Sequence, residues 1–259
     1  MKVNSHNEWD QLEEVIVGDG FPTTLPTLDY SFKLFFHENI EPDNKCYQYG
    51  EQYISKRHVH EHKEDLEAFV DLLKSFNVKV RRPKIPKRIH EFSTPWWKST
   101  IHPALNVRDM VMVVGNTIIE SPPSLRYRYF ENDFLKHLFL EYFKDGARWI
   151  QAPKPLMLDK SFDLSWIDEA DGSRKYYENI RQDKHYMDHG LEIMFDTANC
   201  MRLGKHILMN VSNKNQMNSY NVVRDFVATR IKENSGDYLV KPFRFYNQRV
   251  YKRKITRGI

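Results

Sequence analysis

Cysteine is nearly absent from this chain, which has two in 259 residues, Cys46 and Cys200. Two such thiols make neither a disulfide framework nor a CxxC metal signature, and reduced thiols are expected. Long apolar runs are missing too. The longest, Met110 to Val114, is far too short to span a bilayer, and the opening MKVNSHNEWDQ has no apolar core of a signal peptide. These absences speak against a membrane partner and lead to the expectation of a soluble, cytoplasmic protein. Acid is the third deficit, and it is local: residues 241–259 hold Lys241, Arg244, Arg249, Lys252, Arg253, Lys254 and Arg257 with no Asp or Glu. The formal charge of +4 therefore belongs to this basic tail, and the first 240 residues are net −3.

What the chain has is ample core: 41% hydrophobic and 14% aromatic residues, with no boundary that suggests independent domains, so a single domain over 1–259 is expected. Apolar residues at helical spacing predict a helix over His60 to Phe76, running into the strand VKVRRP. A second, Phe130 to Lys144, carries Phe134, Leu135, Leu138 and Tyr142 on one face and runs into ARWI. A third, about Tyr220 to Lys232, leads through NSGD into YLVKP. Hairpins precede the second and third helices: DMVMVVGNTIIE turning at Gly115-Asn116, and NCMRLGKHILMN turning at Gly204-Lys205. The unit is strand, turn, strand, helix, strand. VIVG at Val15 to Gly18 and the first helix begin a first copy, interrupted by the Pro- and aromatic-rich segment Asp19 to His58. No unit of this kind buries its own apolar face, so repeated blades around an axis or a layered stack are expected. Residues 156 to 190 read as a polar surface excursion.

The repeat has a consequence for two acids. Asp109 precedes the second hairpin and Asp196 the third, so each carboxylate enters its unit at an equivalent place, and in a radial arrangement such places converge. Asp196 directly follows Ile193, Met194 and Phe195, with no basic residue until Arg202, and a desolvated carboxylate is costly without a hydrogen bond or a counter-ion. Two carboxylates at a hub share a proton or face a cation, for which a planar guanidinium or an imidazolium is suited. The alternative is that Asp109 is a strand-edge turn residue and Asp196 an Asx-turn.

Six segments, HNEWDQLEEVIVG (His6 to Gly18), VKVRRP (Val78 to Pro83), RDMVMVVGNTIIE (Arg108 to Glu120), RYRYFE (Arg126 to Glu131), APKP (Ala152 to Pro155) and FDTAN (Phe195 to Asn199), occur in an order that resembles the amidinotransferases. These include glycine and inosamine-phosphate amidinotransferases. The resemblance implies an α/β fold of pentein type, a five-bladed α/β propeller built from ββαβ units, of which this chain holds about half. It also implies transfer of the amidino group of arginine to an amine, glycine or an aminocyclitol, through a cysteine, with no cofactor and no metal. By motif, Asp109 is the expected guanidinium-binding carboxylate and Asp196 the acid that orients and charges a catalytic histidine. That histidine is expected in a His-x-Asp motif that would fall between Arg249 and Lys254, where the chain has neither residue, and the nucleophilic cysteine is expected beyond Ile259. The chain is accordingly expected to be a truncated or frameshifted product, inactive alone.

No resident residue substitutes. Cys200, four after Asp196, reads as a small buried hydrophobe. Cys46 matches no family cysteine, and His206 lies on the outgoing hairpin arm. His58, His60 and His62 form a solvated helix start with no completing ligand set. Two further readings are a non-catalytic homologue that self-associates as a homo-oligomer through open strand edges, and a nucleic-acid-binding tail, for which no recognition motif is present.

Overall fold

The computed structural model describes residues 3–20, 26–35, 55–86, 91–167, 192–210 and 239–243. β1 (Glu14–Ile16) is followed by the short helix α1 (Tyr30–Phe35) and by α2 (Lys56–Ser75), which leads into β2 (Lys79–Arg81). β1 and β2 pair in parallel, Glu14 against Lys79 and Ile16 against Arg81. α2 begins four residues before the expected His60, because Ser55 caps it: its side chain accepts the His58 backbone N–H at 3.2 Å.

An antiparallel hairpin, β3 (Glu91–Ser93) with β4 (Lys98–Thr100), comes next. The sequence reading did not contain it, since Pro95 and two tryptophans mask its alternation. A one-turn helix, α3 (Val107–Met110), leads into β5 (Val111–Val114), and β6 (Thr117–Glu120) returns antiparallel to it. α4 (Lys136–Lys144) then crosses back to β7 (Arg148–Gln151), parallel to β6. The third unit repeats the plan: β8 (Cys200–Leu203) and β9 (His206–Asn210) form a hairpin, and β10 (Leu239–Phe243) lies parallel to β9. Gly115 (φ 56°) and Gly204 (φ 61°) occupy the two hairpin turns in the left-handed region, where a side chain would be strained. This is the α/β pentein-type architecture, with β5, β6, α4 and β7 forming a full ββαβ unit among the described residues. The expected third helix, Tyr220 to Lys232, lies outside the described residues, and so does the tail beyond Phe243.

The main core packs Met110, Val111 and Ile118 of the second hairpin against Phe134, Leu135, Leu138 and Phe139. Two sequence expectations are corrected here. The second helix starts at Lys136 rather than Phe130: Glu131–Phe134 is a separate 3-10 turn, because Glu131 and Asn132 are buried and turned to polar partners that a continuous helix would not reach. The excursion from 156 onward is not wholly a surface feature, since Met157, Phe162 and Ile167 are buried with Leu34 and Met194. Arg126 holds that segment by donating from Nε to the Met157 carbonyl at 3.0 Å and from Nη2 to Asp159 Oδ1 at 2.6 Å, its guanidinium lying over Trp97 and Phe162. Among the described residues no helix is long and apolar enough to cross a membrane.

Candidate functional site

Asp109 lies in α3, immediately before β5, and Asp196 precedes the 3-10 turn Thr197–Asn199 that opens β8. Each acid therefore stands where its hairpin begins, and the two turns pack together. Arg108 donates from Nη1 to the Thr197 carbonyl and from Nη2 to the Cys200 carbonyl, while Thr197 Oγ1 returns a hydrogen bond to the Arg108 carbonyl at 2.5 Å. The Met110 carbonyl at the other end of α3 accepts from Ser121 N at 3.0 Å and from Asn132 Nδ2 at 3.3 Å. Local backbone bonds thus fix where both carboxylates enter.

Their side chains meet at Arg128. Nη1 of that guanidinium donates to Asp109 Oδ2 at 2.9 Å and lies 3.8 Å from Asp196 Oδ2. The opposite edge of the same group is taken by Glu131, with Nε to Oε2 at 2.5 Å and Nη2 to Oε1 at 3.0 Å. Nη2 also donates to the Asn106 carbonyl at 3.4 Å. Arg128 and Glu131 are buried, and Asp109 and Asp196 keep side-chain exposures of 25% and 18%. The site is a sealed arginine with two carboxylates at its accessible end.

Asp196 makes both contacts that its sequence position allows. Oδ1 accepts the Ala198 N–H at 2.7 Å as an Asx-type cap, and Oδ2 faces Arg128. The turn reading describes Oδ1, while Oδ2 is turned to a guanidinium of the chain itself. Among the described residues the cation that Asp196 faces is the Arg128 guanidinium, and no histidine of those residues lies within ion-pair distance of it. His102 comes to the cluster from behind, with Nδ1 3.5 Å from Glu131 Oε2 and its ring against Tyr127.

Three carboxylates surround one arginine, and the surplus negative charge falls on Asp196. Burial, and then the charge of Asp109, push its pKa up to about 6, against the opposing effects of the Ala198 N–H and Arg128. Burial works against the charge on Arg128, but Glu131 and Asp109 overcome it and hold its pKa above the ordinary value. Cys200 fits its expected place as a buried small residue: burial pushes its thiol up to about 12, so it is no nucleophile at neutral pH. His58 serves the start of α2, its Nδ1 2.7 Å from Ser55 Oγ. Cys46 lies outside the described residues, and among those described no group of three His, Cys, Asp or Glu side chains could hold a metal ion.

Sequence reasoning placed Asp109 and Asp196 together and missed Arg128 and Glu131. The available signal was the polar run Glu131-Asn132-Asp133 inside an apparent helix, with Arg126 and Arg128 shortly before it, where an amphipathic face would already have begun.

No protein-family model matches the chain. It is 36% identical over 207 residues to the mitochondrial glycine amidinotransferase of Danio rerio, a match that covers 80% of this chain and 48% of that protein. It is 34% identical over 247 residues to an L-arginine:L-lysine amidinotransferase of Pseudomonas savastanoi pv. phaseolicola, covering 91% and 60%. Among solved structures, SxtG, an amidinotransferase of Microseira wollei in the saxitoxin biosynthetic pathway, superposes with a TM-score of 0.68 at 30% identity, over 93% of this chain and 62% of that one. The chain spans 48% to 60% of the length of these curated relatives.

Proposed function

The chain belongs to the amidinotransferase family, and from that premise we propose that it handles the guanidino group of an arginine-type donor, with Asp109 as the guanidinium-binding carboxylate and Asp196 as the carboxylate beside it that orients and charges a catalytic histidine. The observation that carries this reading is the convergence of the two acids, 87 positions apart in the chain, on a single guanidinium nitrogen. A pair of carboxylates facing one point is suited to a planar cation, whose several N–H donors can each meet an acceptor. Arg128 closes the inner side of the pair and leaves the outer side of each acid partly exposed.

In the amidino transfer proposed, a thiolate adds to the guanidinium carbon, the bond from that carbon to the donor nitrogen breaks, and the departing amine takes up a proton. An incoming amine then attacks the carbon of the amidino-thioether, the carbon–sulfur bond breaks to release the thiolate, and the proton that the amine loses returns to the base that gave one to the departing amine. A protonated guanidinium is a poor electrophile, so the acids' part is to fix its plane for attack. An Asp196 that titrates near 6 is poised to gain or lose a proton as charge changes beside it. Cys200 is buried with its thiol pushed up to about 12, and Cys46 matches no cysteine expected from the resemblance, so these 259 residues are expected to bind the donor without transferring its amidino group.

Equilibrium dialysis against labelled arginine, with a parallel assay for ornithine in the presence of glycine or lysine, tests this. Retained arginine without ornithine above the buffer level is the expected result. Absence of retained arginine would remove the reading; ornithine release would keep the donor site and overturn the inactivity.

A further inference from the structure

The N-terminal segment makes contacts that the repeat does not require. Ser5 exchanges two backbone hydrogen bonds with Gly115, at 2.9 and 2.7 Å, and the Gly204 N–H donates to the His6 carbonyl at 2.9 Å. Asn7 forms a bridge with Leu203. One short stretch is thereby fastened to the turns of both acid-bearing hairpins.

Side chains reinforce the fastening. Glu8 accepts from Arg202 Nε at 2.8 Å and Nη2 at 2.7 Å, while Arg202 Nη1 donates to Ser5 Oγ at 2.6 Å and, across to the other hairpin, to the Val113 carbonyl at 2.8 Å. Glu8 Oε1 also lies 3.4 Å from Nη2 of Arg108, the residue that ties the turn of Asp109 to the turn of Asp196. The hydrogen bonds from Arg202 hold the Glu8 carboxyl down at about 2, so it stays ionised.

We propose that Ser5 to Glu8 is a positioning strap for the acid pair, in which Glu8, through Arg108, sets the separation of Asp109 from Asp196. The proposal rests on the reading of these two acids as one site. Two like charges drift apart unless something outside the pair opposes their repulsion. Arg128 offsets the repulsion from within; the strap and the Arg108–Thr197 exchange hold the backbones that carry the acids. Glu8 touches neither acid, so its action is indirect.

The test reads the titration of the Asp196 carboxyl by carbon NMR in the unliganded protein, which separates it from any question of donor binding. Glu8→Gln removes the charge that orders Arg108, and Thr197→Val removes the reciprocal hydrogen bond without changing charge. Each is expected to let the acids separate and so to lower the midpoint from about 6 by about half a pH unit toward the ordinary carboxylate range. In an Asp109→Asn background the pair no longer repels, and the same two substitutions are expected to shift Asp196 by less than about a third as much. A wild-type-like midpoint in both single variants, or equal shifts with and without Asp109, overturns the strap and leaves the donor site standing. An ordinary midpoint in the wild-type protein overturns strap and acid pair together. Should Thr197→Val fail to fold, the partly exposed Glu8 site still gives the cycle with Asp109→Asn.

Discussion

The second and third units of the chain share a plan and differ in what surrounds it. Both are hairpins turned by a glycine and extended by a parallel strand, and both begin with an aspartate. Asp109 sits in a helical turn 2.9 Å from Arg128, whereas Asp196 caps a 3-10 turn and stands 3.8 Å from the same nitrogen. The closer acid takes most of the counter-ion; the farther one bears the cost of its burial and of its neighbour's charge. Repetition thus explains where the two acids are, and the unrepeated arginine between them explains why they are not equivalent.

The most severe way to break the comparison is to remove Arg128. Arg128→Met removes the guanidinium that Glu131 and Asp109 share, leaving buried Glu131 only His102 at 3.5 Å, and is expected to cost about 3 to 5 kcal/mol in chemical unfolding. A loss below about 1 kcal/mol would mean that the three carboxylates do not depend on it.

Next in size is the asymmetry itself. Asp109→Asn removes a close partner of Arg128 and is expected to destabilise the fold by about 1 to 2 kcal/mol at pH 7. Asp196→Asn keeps the cap, since asparagine caps as well as aspartate, and removes a charge that the fold disfavours. The folded pKa of Asp196, about 6, is above its ordinary 3.8. Between those values the folded chain holds a proton that the unfolded chain has released. Stability attributable to this group therefore falls as pH rises through the window and is lowest above 6. Relative to the wild type, Asp196→Asn is expected to gain about 1 to 2 kcal/mol between pH 4 and pH 7, allowing for its partial exposure. Unfolding curves at the two pH values check this, and a pH-independent difference would contradict it.

A separate effect, on reactivity rather than on stability, concerns Cys200. Its burial predicts alkylation in the native protein about a hundredfold slower than in denaturant, followed by peptide mass spectrometry. Rapid native labelling of Cys200 would contradict its place as a buried, unreactive thiol.

Much of the framework is legible in the residues. Gly115-Asn116 and Gly204-Lys205 mark both hairpin turns, and period-2 apolar patterns mark their arms. The convergence of Asp109 and Asp196 follows from equivalent places in a repeat. Arg128 and Glu131 are not legible in that way, because burying an ion pair three residues apart imitates the start of a helix in one dimension and shows its purpose only in three. The same holds for Met157 and Phe162, apolar residues in a polar stretch whose burial depends on Arg126 drawing the segment inward. Strap contacts such as Glu8 with Arg202 join residues 194 positions apart, and no local spacing announces them.

Binding of arginine compared with citrulline, its neutral isostere, by titration calorimetry tests the paired-acid claim most directly. Arginine is expected to bind at least about tenfold more tightly than citrulline, with the difference lost in Asp109→Asn, since a carboxylate pair selects for charge as well as shape. Equal affinities for the two, or full discrimination without Asp109, would contradict it.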